Sequence, residues 1–263
     1  QEQEERRLQK VKKLKEEDEK RIEEDYLRIL RFFRFSAIYG KSFDEEGLAA
    51  CSKMAHGINT LSRERITQEF FKIISSDDPV STLNIMFDNN VLADLKSDDY
   101  DAGFMLAFCG FQKRYRLASA ASRHFVFAGM NLDNIKSMGK YILYPKVFIR
   151  DMQCISGALN LPDLDCDASV RACVYRFGRV ATAQALLIEL TQDRVVNHYA
   201  PTALDIIQKW DNPMFPLSGN DLMDAGIEKG PELGKALDAL ENYWIESDFK
   251  LTSDELLAKI NAN

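Results

Sequence analysis

The chain has no run of about 18 uncharged apolar residues, so it offers no membrane-spanning helix, and no membrane partner is expected. Its first stretch, QEQEERRLQKVKKLKEEDEKRI, has neither the apolar core nor the small-residue cleavage site of a signal peptide. The expected compartment is cytoplasmic, or the mitochondrial matrix for an organellar protein. Histidine is scarce: His56, His124 and His198 stand apart from one another and from matching ligands, so they read as structural or surface residues and not as a metal site. The five cysteines, Cys51, Cys109, Cys154, Cys166 and Cys173, are odd in number, scattered and without a C-x-x-C pair. They indicate neither a disulfide framework nor a zinc site, and read as reduced, mostly buried thiols. A basic excess is missing too. The net charge of −7 excludes a protein that coats nucleic acid indiscriminately, so RNA binding would need locally clustered Lys and Arg.

What is present is a sequence able to fill a core, 46% hydrophobic over 263 residues, and patterned as helix after helix. The expected class is all-α. Residues 1–20 interleave Glu with Lys and Arg, contain no Gly or Pro, and carry only Leu8, Val11 and Leu14 as an apolar stripe, which predicts a charged, solvated helical extension. An amphipathic run follows to Tyr39, with Gly40 as a candidate C-cap, and another helix opens near Ser42 to Asp44. LSRERITQEFFKII (Leu61 to Ile74) begins a further amphipathic element at Ser62. In 86–210, RHFVFAGM and KYILYPKVFIRDM have strand-like composition, but few hairpin turn signals bracket them, and they are read as helical. Near the end, Ser218 starts a short helix, Asp224-Ala225-Gly226 ends it, and Pro231 stands at a first helical position, predicting a helical hairpin and then a third helix.

One stretch combines unusual residues. EDYLRILRFFRF (Glu24 to Phe35) puts arginines at steps of three among bulky apolar side chains, behind an acidic pair. At about 100° per residue, Ile29, Leu30, Phe33 and Ala37 share one face, while Arg28, Arg31 and Arg34 share the opposite one with Asp25 beside them. A solvated face with Glu24–Arg28 and Asp25–Arg28 pairs is the plain reading. Against it, the polar face holds arginine and no lysine, and guanidinium is suited to planar, multidentate recognition of bases and phosphates.

Glu24, Asp25, Arg28, Arg31, Arg34 and Phe35 together form Glu-Asp-x-x-Arg-x-x-Arg-x-x-Arg-Phe, which resembles the nucleotide-selecting motif of class II (bacterial-type) tRNA nucleotidyltransferases and poly(A) polymerases, the CCA-adding family. LSRERITQEFFKI resembles the family's following motif, and PLSGNDLMDAGIEKGPELGKALDALENYWIESDF resembles the tail signature of its alphaproteobacterial, Rickettsia-like members. The three blocks have the family's order over about residues 21–263. The resemblance implies a helical neck (21–85), body (86–204) and tail (205–263), with nucleotide-binding residues Glu24, Asp25, Arg28, Arg31 and Arg34. It implies Asp25 and Arg28 as a template for cytosine and adenine, Arg31 toward the triphosphate, and Arg34 either there or in a structural pair. It also implies CTP, ATP and the acceptor and T arms of tRNA as partners, and magnesium for the complete enzyme.

The family's magnesium is held by an Asp-x-Asp motif in a catalytic head, and none is read ahead of Glu24. The two Asp-x-Asp patterns, Asp99-Tyr100-Asp101 and Asp163-Leu164-Asp165, lie in acidic, loop-like stretches without a Gly-rich turn, and read as solvated loop acids. No catalytic residue, metal ligand or cofactor is assigned to this chain. Catalysis is expected to need a head on another chain, or in a longer parent, and a separate head or other protein could lie along the N-terminal helix. A headless RNA-binding or structural subunit of a larger ribonucleoprotein stays open, as does a scaffold whose head was exchanged for a designed helix. Two further RNA-binding candidates are Lys113, Arg114 and Arg116 beside Phe111 and Tyr115, and Lys229 with Gly230 ahead of the Pro231 helix. A surface helix end and simple tail packing of Leu233, Leu237 and Trp244 are the plain alternatives.

Overall fold

The computed structural model describes residues 19–39 and 43–260, and among them there are helices and no β-strand. The chain divides between Ser156 and Gly157 into two compact units. The charged extension and the Gly40 and Ser42 signals lie outside the described residues, apart from a helical segment at 19–24.

In the first unit, α1 (Leu27–Tyr39) buries Ile29, Leu30 and Phe33 completely, as the 3.6-residue period requires, and leaves Arg28 and Arg31 exposed. Helix α2 (Glu45–Met54) starts where the Asp44 carboxylate accepts the Gly47 N–H at 2.6 Å, and a 3₁₀ helix (Ala55–Thr60) continues it. Then come α3 (Arg63–Ile74), α4 (Pro79–Asp88, with Asp78 as cap and Pro79 at the first position), α5 (Ala102–Tyr115), α6 (Ala120–Phe127), α7 (Leu132–Met138) and α8 (Lys146–Leu159), whose last residues, from Gly157, are counted in the second unit. The strand-like RHFVFAGM is the end of α6 and its turn. Every residue from Ala121 to Phe127 is buried there, which erases the amphipathic period that marks a surface helix. Of KYILYPKVFIRDM, Lys146 onward is α8, while 142–145 run without regular structure.

The buried guanidinium of Arg123 ties three elements together. Its Nη1 donates to the carbonyls of Ile74 at 3.0 Å and Ser76 at 2.6 Å, just where α3 runs out of intrahelical partners. Its Nε donates to Gln112 Oε1 on α5 at 2.7 Å. His124 beside it is fully buried among Phe70, Phe71 and Phe148, and burial pushes its imidazole down to about 3, so it is a neutral core group.

The second unit holds α9 (Asp167–Thr191), α10 (Ala200–Lys209), α11 (Gly219–Asp224), α12 (Pro231–Glu246) and α13 (Ser253–Ile260). Helix α9 is broken at Gly178, whose φ of 79° and ψ of 168° are not helical. Ser218 caps α11, Gly226 at φ 97° follows its end, and Pro231 opens α12. Leu222, Leu240, Trp244 and Leu256 form a core against which Leu233 and Leu237 pack. Arg171 clamps Asp248 with bonds of 2.7 and 2.9 Å, and this pairing holds the Asp248 carboxyl below its ordinary value. Among the described residues no helix is long and apolar enough to cross a membrane.

Candidate functional site

Asp25 stands just before α1 and works as its cap: Oδ1 accepts the Leu27 N–H at 3.1 Å. Both its oxygens also accept from Arg65 Nη2 at 2.9 Å, so its charged partner comes from α3 and not from Arg28. Partial burial works to raise the Asp25 carboxyl, but the Leu27 bond, the Arg65 bond and the charges of Arg65 and Arg31 outweigh it and hold it below the ordinary carboxylate value. Farther along, Arg34 Nε lies 2.7 Å from Glu69 Oε2, off-axis for a hydrogen bond, while Lys72 approaches the other oxygen at 3.4 Å. The Arg34 guanidinium also lies 4.3 Å from the centre of the Phe35 ring. Arg34 is thus engaged by Glu69 and Phe35 within its own unit.

Tyr26, next to the cap, presses its ring onto Gly57 in the 3₁₀ helix. A Cβ at that glycine would stand 1.9 Å from the ring, so only glycine admits the contact. The start of α1 is thus fixed by the Asp25 bonds on one side and this backbone seat on the other.

Arg28 and Arg31 point to a different place from Arg34. With Arg21, Phe32 and Phe35 they line a groove of about 490 Å³, whose far wall is the start of α2 with Asp44, Gly47 and Ala50. Donor-only guanidinium groups sharing a groove with aromatic side chains suit a planar, anionic ligand. Cys51 also lines it, but burial pushes that thiol up to about 12, so it is no nucleophile. Asp25 is outside this lining, at one end of the same helix, with its side chain 29% exposed; Glu24 is exposed beside it.

The remaining candidates sit elsewhere. Lys113, Arg114 and Arg116 are exposed at the end of α5, where the Arg114 guanidinium lies 5.4 Å from the centre of the Tyr115 ring and Tyr115 runs parallel to Phe111. Lys229 and Gly230 are exposed in the second unit ahead of α12; Gly230 is extended, with nothing within 4 Å of where a Cβ would stand. Asp101 caps α5 through the Phe104 N–H, and Asp163 lies 3.7 Å from Arg194.

Three comparisons bear on this geometry. Residues 42–97, spanning α2 to the loop after α4, match the family model described as the probable RNA and SrmB-binding site of polymerase A. The mitochondrial CCA tRNA nucleotidyltransferase 1 of Mus musculus is 26% identical over 264 residues, covering 91% of this chain and 56% of that protein. The CCA-adding enzyme of Lactococcus lactis is 24% identical, with 91% and 60% covered. The fold matches that of the Bacillus stearothermophilus CCA-adding enzyme solved with CTP, at a TM-score of 0.71 and 17% identity, covering 93% of this chain and 63% of that one.

The chain is thus similar over about nine-tenths of its length to CCA-adding enzymes, and shares their helical fold. It spans a little over half the length of the curated CCA-adding relatives that it matches. Arg65 and Glu69 are the residues of this site that the arginine pattern of α1 does not reveal by itself. Their signal is complementary charge: α1 and the cap before it run acid then base (Asp25, Arg34), and α3 runs base then acid (Arg65, Glu69).

Proposed function

We propose that the chain selects CTP and ATP along the polar side of α1, from Asp25 at its start to the groove against α2, and holds tRNA, acting as the neck (21–85), body (86–204) and tail (205–263) of a tRNA nucleotidyltransferase or poly(A) polymerase. The observation that carries this reading is the groove itself: Arg28 and Arg31 beside Phe32, on a helix whose first turn is fixed by Asp25. Cytosine and adenine both present an amino donor beside a ring-nitrogen acceptor. A carboxylate accepts from the first and a guanidinium donates to the second. Arg65 engages the Asp25 oxygens through one nitrogen, so acceptor capacity remains on a side chain still open to solvent. Guanine and uracil reverse both groups, and sites of this kind can discriminate by roughly 10⁴.

Magnesium serves the family's phosphoryl transfer, but among the described residues no group of three or more His, Cys, Asp or Glu side chains is placed to hold a metal. No step through a metal is assigned here. The measurement that tests selection is equilibrium binding of each nucleoside triphosphate to the chain. Wild type should favour CTP and ATP over GTP and UTP, and Arg28→Ala should weaken both by about tenfold or more, the worth of a charge-assisted hydrogen bond. Equal binding of all four nucleotides, unchanged in Arg28→Ala, would leave a purely structural scaffold.

The exposed Lys113, Arg114 and Arg116 cluster is assigned to tRNA phosphate and sugar, with Lys229 and Gly230 as a second contact. Affinity for tRNA should fall as salt rises, and the double variant Lys113→Glu, Arg114→Glu should bind more weakly with a shallower salt slope. A slope identical to that of wild type would remove these residues from the interface.

A further inference from the structure

Helix α5 turns one side inward, where Met105, Phe108, Cys109 and Gln112 are buried. On the opposite side, Gly103, Ala107, Gly110 and Arg114 fall within about 60° of one another, and Leu106 flanks them. All five are exposed, Leu106 at 58%. A surface helix ordinarily gives this side to polar residues, and here its middle has none.

One exposed leucine would carry no meaning, but the glycines beside it do. Gly110 has nothing within 4 Å of where a Cβ would stand, and Gly103 has only the Asp101 carboxylate, at 3.3 Å. Both lie inside a helix with ordinary negative φ, where glycine is less stable than alanine. The fold of a single chain therefore gains nothing from them. A second helix would, because the distance between packed helices is set by the side chains at their contact.

The charges along the face say what approaches. Asp101 sets its carboxylate beside Gly103 at the start, just after the exposed Asp98 and Asp99. Lys113 and Arg114 stand at the end, and neither forms an ion pair with another described residue. A face that is acidic at one end, apolar in the middle and basic at the other is complementary to itself when turned end for end. RNA complements only its basic end.

We propose that two copies of the chain associate through α5, antiparallel about a two-fold axis that passes between Leu106 and Ala107. Gly103 of one copy then lies opposite Gly110 of the other, the two Leu106 side chains meet beside the axis, and Arg114 reaches the acidic start of the facing helix. A single helix pair buries less than the roughly 1,600 Å² of a standard interface, so this dimer is weak and reversible. It uses the same Arg114 as the tRNA contact proposed above, and the two compete for it. The inference stands on the face itself and not on that contact.

Sedimentation of the whole chain without RNA, over rising protein concentration, tests the interface. Wild type should pass from monomer to dimer, and Leu106→Glu should lose the dimer over the same range, because it sets two like charges together at the axis. Gly110→Gln should weaken association by roughly tenfold or more. Its urea midpoint, measured on the monomer, should equal or exceed that of wild type, since glutamine is the better helix former and meets nothing in its own chain. Arg114→Glu should weaken the dimer several-fold, and so should Asp101→Asn, which keeps a cap for the Phe104 N–H. A wild-type chain that stays monomeric at every concentration would overturn the proposal. A dimer that survives both Leu106→Glu and Gly110→Gln would do the same by placing the contact elsewhere, and a fall in the urea midpoint of Gly110→Gln would do so by returning the glycine to the fold of the single chain.

Discussion

Arg123→Met should lower the unfolding free energy by about 3 kcal/mol or more, the loss expected when several buried acceptors lose their donor together. The methionine replaces the volume but not the donors. Three oxygens, Ile74 O, Ser76 O and Gln112 Oε1, would be left facing an apolar side chain at a position only 8% exposed. The carbonyl of Ile74 also lies at the negative end of α3, so a positive charge is removed from the place where the helix dipole favours it. Urea unfolding of both proteins measures the difference. A loss under about 1 kcal/mol would mean that water takes over these carbonyls. Because α3 carries Arg65 and Glu69, the variant should also loosen the Asp25 and Arg34 contacts, and the nucleotide selection proposed above should weaken along with the fold.

Glu189→Gln should remove a loss of stability that the wild-type chain suffers as pH rises. Glu189 is fully buried on α9; Oε2 accepts the Leu164 N–H at 2.7 Å, and Oε1 meets no donor among the described residues. Burial pushes its carboxyl up to about 7; the Leu164 bond and Arg194 oppose this, while Asp163 and Asp165 add to it. Since the folded value is raised above the ordinary one, the contribution of the protonated acid is complete below about 4.5 and is lost as pH rises through about 7. Across that window the wild-type chain should lose stability with a slope approaching about 1.4 kcal/mol per pH unit from this group. Glutamine keeps the acceptor for Leu164 and cannot ionise. The variant should therefore match or trail wild type at pH 5 and exceed it at pH 8 in thermal melts. Parallel profiles at all pH values would show that the acid ionises without penalty.

Much of this architecture is legible in the sequence because its signals are local. Asp44, Ser218 and Pro231 mark helix starts, and each stands where the chain enters a helix. The apolar face of Ile29, Leu30 and Phe33 follows from spacing alone, since a surface helix must bury one stripe. Periodicity fails where burial is complete. Arg123 to Phe127 looks like a strand because no face of α6 there meets water, and a buried arginine and histidine in it are explained only by partners far away in sequence. The site divides in the same way. The arginine face of α1 can be seen from twelve residues, but which arginine goes where depends on α2 and α3: Glu69 claims Arg34, Arg65 claims Asp25, and Arg28 and Arg31 remain for the groove. A single-helix projection contains none of those partners.

The seat of Tyr26 on Gly57 also restricts how the start of α1 can change over generations. A side chain at position 57 has no room while the ring is there, but the ring can be trimmed while the glycine stays. Substitutions at the two positions must then arrive in a fixed order, the aromatic first, and a lineage that has kept Tyr26 has only one residue open to it at 57.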